Sequence, residues 1–389
     1  MAETITLENK ALVCYGEDKI EVRSIPLTFP KGPDGNPVIP ANNVLVKVRA
    51  TGICGSDIHM WKEGTDSIPP YVLGHECAGE IIGLGDQVSG WKIGDRVAIK
   101  PGGPCRTCDY CTTGQANMCP DDRYFGVPGC DGSCCTLKIV PEAQLCPLTD
   151  KISWTESGLI QPLAIAMQMT RQAGLKAHQH VLILGGGCIG LMLGAMAKAF
   201  GAAKVVVLEK EPHRTEFAKT YCADQVFVNP PREKGEITSA YATRVSKHIS
   251  ANVCGLQRGG FDVCIEACGA EETMQMGIML AKHGGTYVQV GLYMGQHPEI
   301  PMIQVVSKQL TIKGTFRYTT NCFEQAVDLV DRGVVDVKSL VSHVYQFEDI
   351  LDAFEATHKV QDKQGKKLLK SVILHGEDDH PNGSVLNGH

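Results

Sequence analysis

From His180 onward the chain alternates apolar, strand-like runs with helical patterns, and no other feature limits its fold so tightly. Strands separated by helix-length segments are the mark of βαβ units, and such units build a parallel sheet buried on both faces. Six runs are read as strands: 181–184, 204–208, 225–228, 261–265, 286–290 and 310–313. Six parallel strands with intervening helices make a doubly wound, dinucleotide-binding sheet. The first run enters Gly185-Gly186-Gly187-Cys188-Ile189-Gly190, which fits G-x-G-x-x-G. Gly185 permits the tight turn, Gly187 lets the backbone approach a pyrophosphate, and Gly190 allows close packing of helix on strand. The following helical stretch, LMLGAMAKAFG, would aim its N-terminal N–H groups at the phosphates. A glycine turn alone is a weak signal; here the second strand ends on an acidic residue, Glu209, which strengthens it. A carboxylate there accepts from ribose hydroxyls and repels a 2′-phosphate, so NAD is expected over NADP. Lys210 and Arg214 lie nearby in sequence, Arg214 placed either to flank the adenine or to soften that preference.

The first third has a different texture. Short Val-, Ile- and Gly-rich runs such as NVLVKVRATGICG, CAGEIIGLG and DRVAIKPGG are bounded by Gly, Pro and Asp, as in a strand-dominated domain with tight turns. The texture changes near Pro162. After Gly314 two helical patterns, CFEQAVDLVDRG and FEDILDAFEATH, precede one last strand at 368–374, which is expected to return to the first domain. The sheet domain is then an insertion: 1–163 with 315–389 form one domain and 164–314 the other. The tail from Glu377 lacks apolar periodicity and is expected to be disordered.

Cys105, Cys108, Cys111 and Cys119 form C-x2-C-x2-C-x7-C. Four thiolates so closely spaced wrap one tetrahedral zinc with no open position, which stabilises a loop and does no chemistry. An iron–sulfur cluster is the alternative, but ferredoxin-type runs continue with three residues before the fourth cysteine. Cys134 and Cys135 lack metal spacing and read as packed thiols. A second cluster is spread over Gly52-Ile53-Cys54-Gly55-Ser56-Asp57-Ile58-His59 and Leu73-Gly74-His75-Glu76. Cys54, His75 and Glu76 supply a thiolate, an imidazole and a carboxylate, leaving a fourth zinc position for water or substrate. Zinc in such an open site acts as a Lewis acid on an alcohol oxygen while hydride leaves for a nicotinamide. Ser56 and His59 are the polar groups placed to carry the alcohol proton towards solvent. Taken singly, Cys54 and His75 would pass for core residues; their force lies in occurring together with the lobe and the glycine turn.

Composition narrows the classes. The balance of 37 basic and 43 acidic groups leaves a net charge of −6, without a basic stripe for nucleic acid. Arg106 and Arg123 near the cysteine lobe are offset by Asp109, Asp121 and Asp122, against a zinc-ribbon nucleic-acid binder. The longest apolar run, 181–197, is broken by Gly185, Gly186, Gly187, Gly190 and Gly194 and is short for a membrane span. The 17 cysteines are odd in number and MAETITLENK has no signal-peptide character, so reduced thiols and a cytoplasmic location are expected.

On GICGSDIHMW, GHECAGEI, GDRVAI, the cysteine lobe, GGGCIGL and GTFRY, the chain resembles the zinc-dependent medium-chain dehydrogenases, and among them the sorbitol, xylitol and L-arabinitol dehydrogenases, over nearly its full length. The resemblance implies an α/β architecture: a GroES-like β-rich catalytic domain with an inserted Rossmann domain, a cleft active site and a homotetramer. It implies catalytic zinc on Cys54, His75 and Glu76, and Arg317 with Tyr318 contacting a polyol; a guanidinium and a phenol offer several hydrogen bonds to a hydroxyl-rich chain. Two positions depart from the family. Gln161-Pro162-Leu163 stands where the family carries Glu-Pro-Leu, and Met60 where polyol enzymes often carry Tyr. A neutral amide is a poorer ligand than a carboxylate and no base, though it can hydrogen-bond zinc-bound water; either Glu76 is then the oxygen ligand, or three protein ligands are joined by a looser fourth. The expected activity is NAD-linked oxidation of a secondary hydroxyl of a polyol to the ketose. L-threonine or 2,3-butanediol as substrate, or a non-catalytic dinucleotide-binding sensor, are the alternatives.

Overall fold

The computed structural model describes residues 3–64, 69–253, 256, 259–293, 295 and 297–376. The tail from Glu377, expected to be disordered, lies outside them. The chain divides into two compact units, Met1–Pro162 with Thr319–His389, and Leu163–Tyr318.

The second unit is a six-stranded sheet of His180–Leu184, Lys204–Glu209, Gln225–Val228, Phe261–Glu266, Ala281–Gln289 and Thr311–Gly314. In spatial order the strands run third, second, first, fourth, fifth, sixth, every neighbour parallel. This is the doubly wound order whose ligand crevice opens at the carboxyl ends of the first and fourth strands, where the winding reverses. Near-continuous apolar strands such as HVLIL and KVVVLE are buried because helices cover both faces of such a sheet. Leu182, Val206 and Cys264 from the strands, Val245 and Ile249 from Thr238–Asn252, and Met276 and Leu280 from Glu271–Leu280 form one core. The fifth strand starts at Ala281, not at 286 as expected, because Ala281 pairs with Phe261 before the register shifts. Gly284, at φ +70°, and Gly285 lie inside it, in the stretch where the register shifts between the Ala281 and Thr286 pairs.

The first unit is mainly antiparallel. Asn43–Gly52 is its spine, paired with Glu76–Leu84, Leu137–Pro141 and Ser371–Leu374. Glu76–Leu84 continues to Arg96–Ile99 and then Leu145–Pro147. The last strand does return here, but it begins at Ser371, not 368, and a strand absent from the sequence reading, His343–Gln346, lies parallel beside it. Val44, Val46, Val48, Ile81, Val97 and Ile99 alternate inward along these strands and fill the core between them.

Candidate active site

In the first unit, the Sγ, ring nitrogen and carboxylate oxygen of Cys54, His75 and Glu76 lie within 4.8 Å of one another. Three local devices bring them together. Cys54 caps the helix Gly55–Glu63, and its N–H donates to Oδ2 of Asp57, at the third helical position, at 3.0 Å. His75 follows Gly74, whose φ of +94° is left-handed and whose added Cβ would meet Cys134 Sγ at 2.5 Å, so only glycine fits. Glu76 opens its strand opposite Gly52, where a Cβ would stand 2.2 Å from Glu76 Oε2. Gly52 makes the room into which the carboxylate turns.

The charges are compensated by residues that the sequence reading did not single out. Asp57, fully buried, faces His75 Nδ1 at 3.4 Å through Oδ1, which also accepts from the Gly74 N–H at 3.1 Å. Burial alone would lower the His75 pKa, but the charges of Asp57 and Cys54 prevail and hold it well above the ordinary value. Burial conversely opposes ionisation of Asp57, yet His75 and the two N–H donors keep its pKa below the usual range. A site that draws a proton so strongly is electrostatically suited to a cation. Lys370 Nζ stands 2.5 Å from Glu76 Oε2 and donates to the Ile53 carbonyl at 2.7 Å. Oε2 is thus ion-paired with a buried ammonium. A buried carboxylate beside a thiol and an imidazole fits a metal ligand set of borderline softness, as zinc prefers.

Gln161 Nε2 donates to Tyr124 Oη at 3.0 Å. Ser56 and His59 are exposed on Gly55–Glu63, and His59 Nδ1 lies 3.2 Å from Glu63 Oε1. Met60 is half-buried and packs on the core around Trp61 and Phe354.

Cys105, Cys108, Cys111 and Cys119 also converge within 4.8 Å. The Cys108 N–H donates to Cys105 Sγ at 3.4 Å and the Cys105 N–H to Cys119 Sγ at 3.3 Å. N–H donors from Thr107 and Cys108 pull the Cys105 thiol down to about 6, as a thiolate ligand requires. Arg106, at φ 65°, takes the left-handed backbone that closes this knuckle. Cys134 and Cys135 are buried, packed thiols.

In the second unit Gly185 takes φ +107°, and a Cβ on Gly190 would sit 1.8 Å from the Gly185 carbonyl oxygen. A Cβ on Gly187 would meet nothing within 4 Å: the space in front of it is an open cradle. Gly187 is the N-cap of the helix Cys188–Ala199, so the glycine turn runs directly into a helix N-terminus, where the macrodipole favours an anion. Glu209 is a buried carboxylate rather than an exposed strand end. Its Oε2 accepts from the Gly186 N–H at 2.7 Å, and its Oε1 from the Lys210 and Glu211 N–H groups at 2.6 and 2.9 Å. Arg214 is half-buried in Pro212–Tyr221, and its Nε makes no hydrogen bond. Glycine turn, open cradle and strand-end carboxylate fit a dinucleotide. Arg317, at φ 53°, and Tyr318 follow the sheet's last strand, with the Arg317 guanidinium 4.7 Å over the Phe316 ring.

Known proteins agree with this construction. Residues 40–150 match the alcohol dehydrogenase GroES-like domain and residues 188–332 the zinc-binding dehydrogenase domain. D-xylulose reductase A of Aspergillus niger is 37% identical over 366 residues, 93% of this chain and 96% of that protein. L-idonate 5-dehydrogenase of Escherichia coli superposes with a TM-score of 0.80 at 28% identity, covering 96% of this chain and 100% of that one. A Sinorhizobium meliloti chain bound to NADP superposes with a TM-score of 0.80 at 28% identity, over 95% of this chain and 99% of that one. The chain belongs to the zinc-dependent medium-chain dehydrogenases, in the group of the polyol dehydrogenases. It is therefore an oxidoreductase that uses a nicotinamide cofactor and zinc, on a GroES-like domain joined to a Rossmann domain.

Proposed function

We propose that this enzyme oxidises a secondary hydroxyl of a polyol such as xylitol, sorbitol or L-arabinitol to the ketose, with NAD+ as hydride acceptor. The observation that carries the reading is the convergence of the Cys54 thiol, the His75 imidazole and the Glu76 carboxylate within 4.8 Å; the likeness to a D-xylulose reductase supplies the substrate class. When bound there, zinc supplies Lewis acidity at the alcohol oxygen and the nicotinamide takes the hydride. Cys54, His75 and Glu76 hold the catalytic zinc, while Asp57 and Lys370 fix the ring and the carboxylate. Ser56 and His59 pass the alcohol proton outward, His59 handing it on beside Glu63. Arg317 and Tyr318 bind polyol hydroxyls, and Gln161 accepts a hydrogen bond next to the metal. Cys105, Cys108, Cys111 and Cys119 hold a second, structural zinc.

Gly185, Gly187, Cys188, Ile189 and Gly190 seat the pyrophosphate, Arg214 flanks the adenine, and Glu209 receives the ribose. Held by three backbone N–H groups, Glu209 cannot swing away from a 2′-phosphate, which favours NAD over NADP. The domain limits proposed are 1–163 with 315–389 for catalysis and 164–314 for the cofactor. A homotetramer fits the open edge of the sheet at Thr311–Gly314, where Ile312, Phe316, Ile303 and Val306 are exposed. Among the described residues no helix is long and apolar enough to cross a membrane; a cytoplasmic location is proposed.

The test is a panel of xylitol, sorbitol, L-arabinitol, galactitol, L-threonine and 2,3-butanediol with NAD+ or NADP+, following reduced nicotinamide with a chelator-treated control. Polyol turnover with NAD+, lost without zinc, is expected. Turnover of threonine or butanediol alone would sink the polyol assignment and keep the chemistry.

A further inference from the structure

Gln161 carries no charge, and its partner is specific. Its amide nitrogen donates to Tyr124 Oη at 3.0 Å, and the two side chains are buried. The Tyr124 ring in turn lies beside His75, centroids 5.8 Å apart and planes tilted by 51°. One aromatic residue thus packs beside His75 of the candidate zinc centre and bonds the Gln161 carboxamide.

A carboxamide presents either an acceptor oxygen or two donor hydrogens to a neighbour, and a half-turn about its last torsion exchanges them. The two faces are opposite in effect beside an alcohol on its way to losing a proton. An oxygen accepts from the hydroxyl, whereas an N–H competes with the metal for the same oxygen. In a buried site the wrong face leaves a polar group unpaired, so a fixed partner decides which is shown. The phenol accepts from Nε2, and Tyr124's own proton therefore points to another side of its oxygen.

We propose that Tyr124 is a positioning residue that occupies the amide nitrogen of Gln161 and so makes position 161 a neutral hydrogen-bond acceptor facing the zinc centre. Cys54 and Glu76 already bring two anionic ligands to the metal; a neutral acceptor adds orientation without a third negative charge. The proposal rests on the reading of Cys54, His75 and Glu76 as the zinc centre of a polyol dehydrogenase.

The experiment replaces zinc by Co2+ in the full-length protein and compares Tyr124→Phe, Gln161→Met and the double variant by visible absorption and by xylitol kinetics. Tyr124→Phe keeps the ring, and melting curves check the fold. The expected result is a changed cobalt band in Tyr124→Phe, a kcat about tenfold lower and a KM for NAD+ within about twofold, as befits one buried hydrogen bond. In the Gln161→Met background the same substitution changes kcat by less than about twofold, because the partner is already gone. An unchanged cobalt band in Tyr124→Phe, or an equal further loss in the double variant, overturns the proposal. If Gln161→Met fails to fold, the cobalt band of Tyr124→Phe decides alone. The band needs no substrate, so a wrong polyol assignment shows separately, as absent xylitol turnover by the unaltered enzyme.

Discussion

The two cysteine-bearing centres are built on opposite plans. The lobe takes its four sulfurs from one short stretch of chain, and the nearest donors to those sulfurs are backbone N–H groups of the same loop. The centre at Cys54 draws on two separate segments, and its charges are balanced by Asp57 and by Lys370, which bonds a carbonyl 317 residues away in the sequence. A site made from its own loop serves to hold that loop. A site whose ligands are steered by distant side chains has its electrostatics set by the whole fold, which is what chemistry at a metal needs.

That contrast can be broken most decisively at Cys54. Cys54→Ser should lower kcat/KM by about a thousandfold, as loss of several kcal/mol of Lewis-acid stabilisation would, while bound zinc falls from two per chain to one and the melting temperature holds. Equal activity loss on opening the lobe would erase the distinction. Chelation sharpens it in time: a small chelator at neutral pH should remove activity at least about tenfold faster than it unfolds the protein, since only the open site offers a coordination position. Simultaneous loss of both would contradict the division of roles. Lys370→Met should widen the gap between metal-free and metal-loaded stability by about 3 kcal/mol, the order of cost for leaving a buried carboxylate unpaired. Calorimetry of both forms reads this, and an unchanged gap would mean that Lys370 does not compensate Glu76. The smallest effect on turnover is expected for Cys111→Ser, with kcat within about threefold of the unaltered enzyme although the melting temperature falls by roughly 5 °C or more.

How much of this was legible in the sequence follows the range of the interactions. The glycine turn, the lobe and the six sheet strands are local patterns, and each could be read from a short window. Cys54, His75 and Glu76, which converge in the fold, were singled out by residue type, but what steers them was not. Asp57 stands three residues after Cys54, the capping-box spacing, so that signal was present. Lys370 sat inside what reads as a strand; the strand begins one residue later because the lysine turns inward to Glu76 and Ile53. Tyr124 carried no signal, since its partner Gln161 is joined to it only by folding. His343–Gln346 escaped for the same reason: it is a strand by virtue of pairing with Ser371–Leu374.

The return of the last strand to the first sheet has a consequence for the order of events during synthesis. Ribosomes add roughly 5–20 residues each second, and units fold as they emerge. The cysteine loop and the whole parallel sheet are available well before Ser371 leaves the exit tunnel, whereas the spine Asn43–Gly52 still lacks the neighbour that Ser371–Leu374 provides. Until then Glu76 has no ammonium beside it. The nascent chain therefore passes through a stage in which the residues of the parallel sheet are all present while Glu76 still waits for the charge that Lys370 brings.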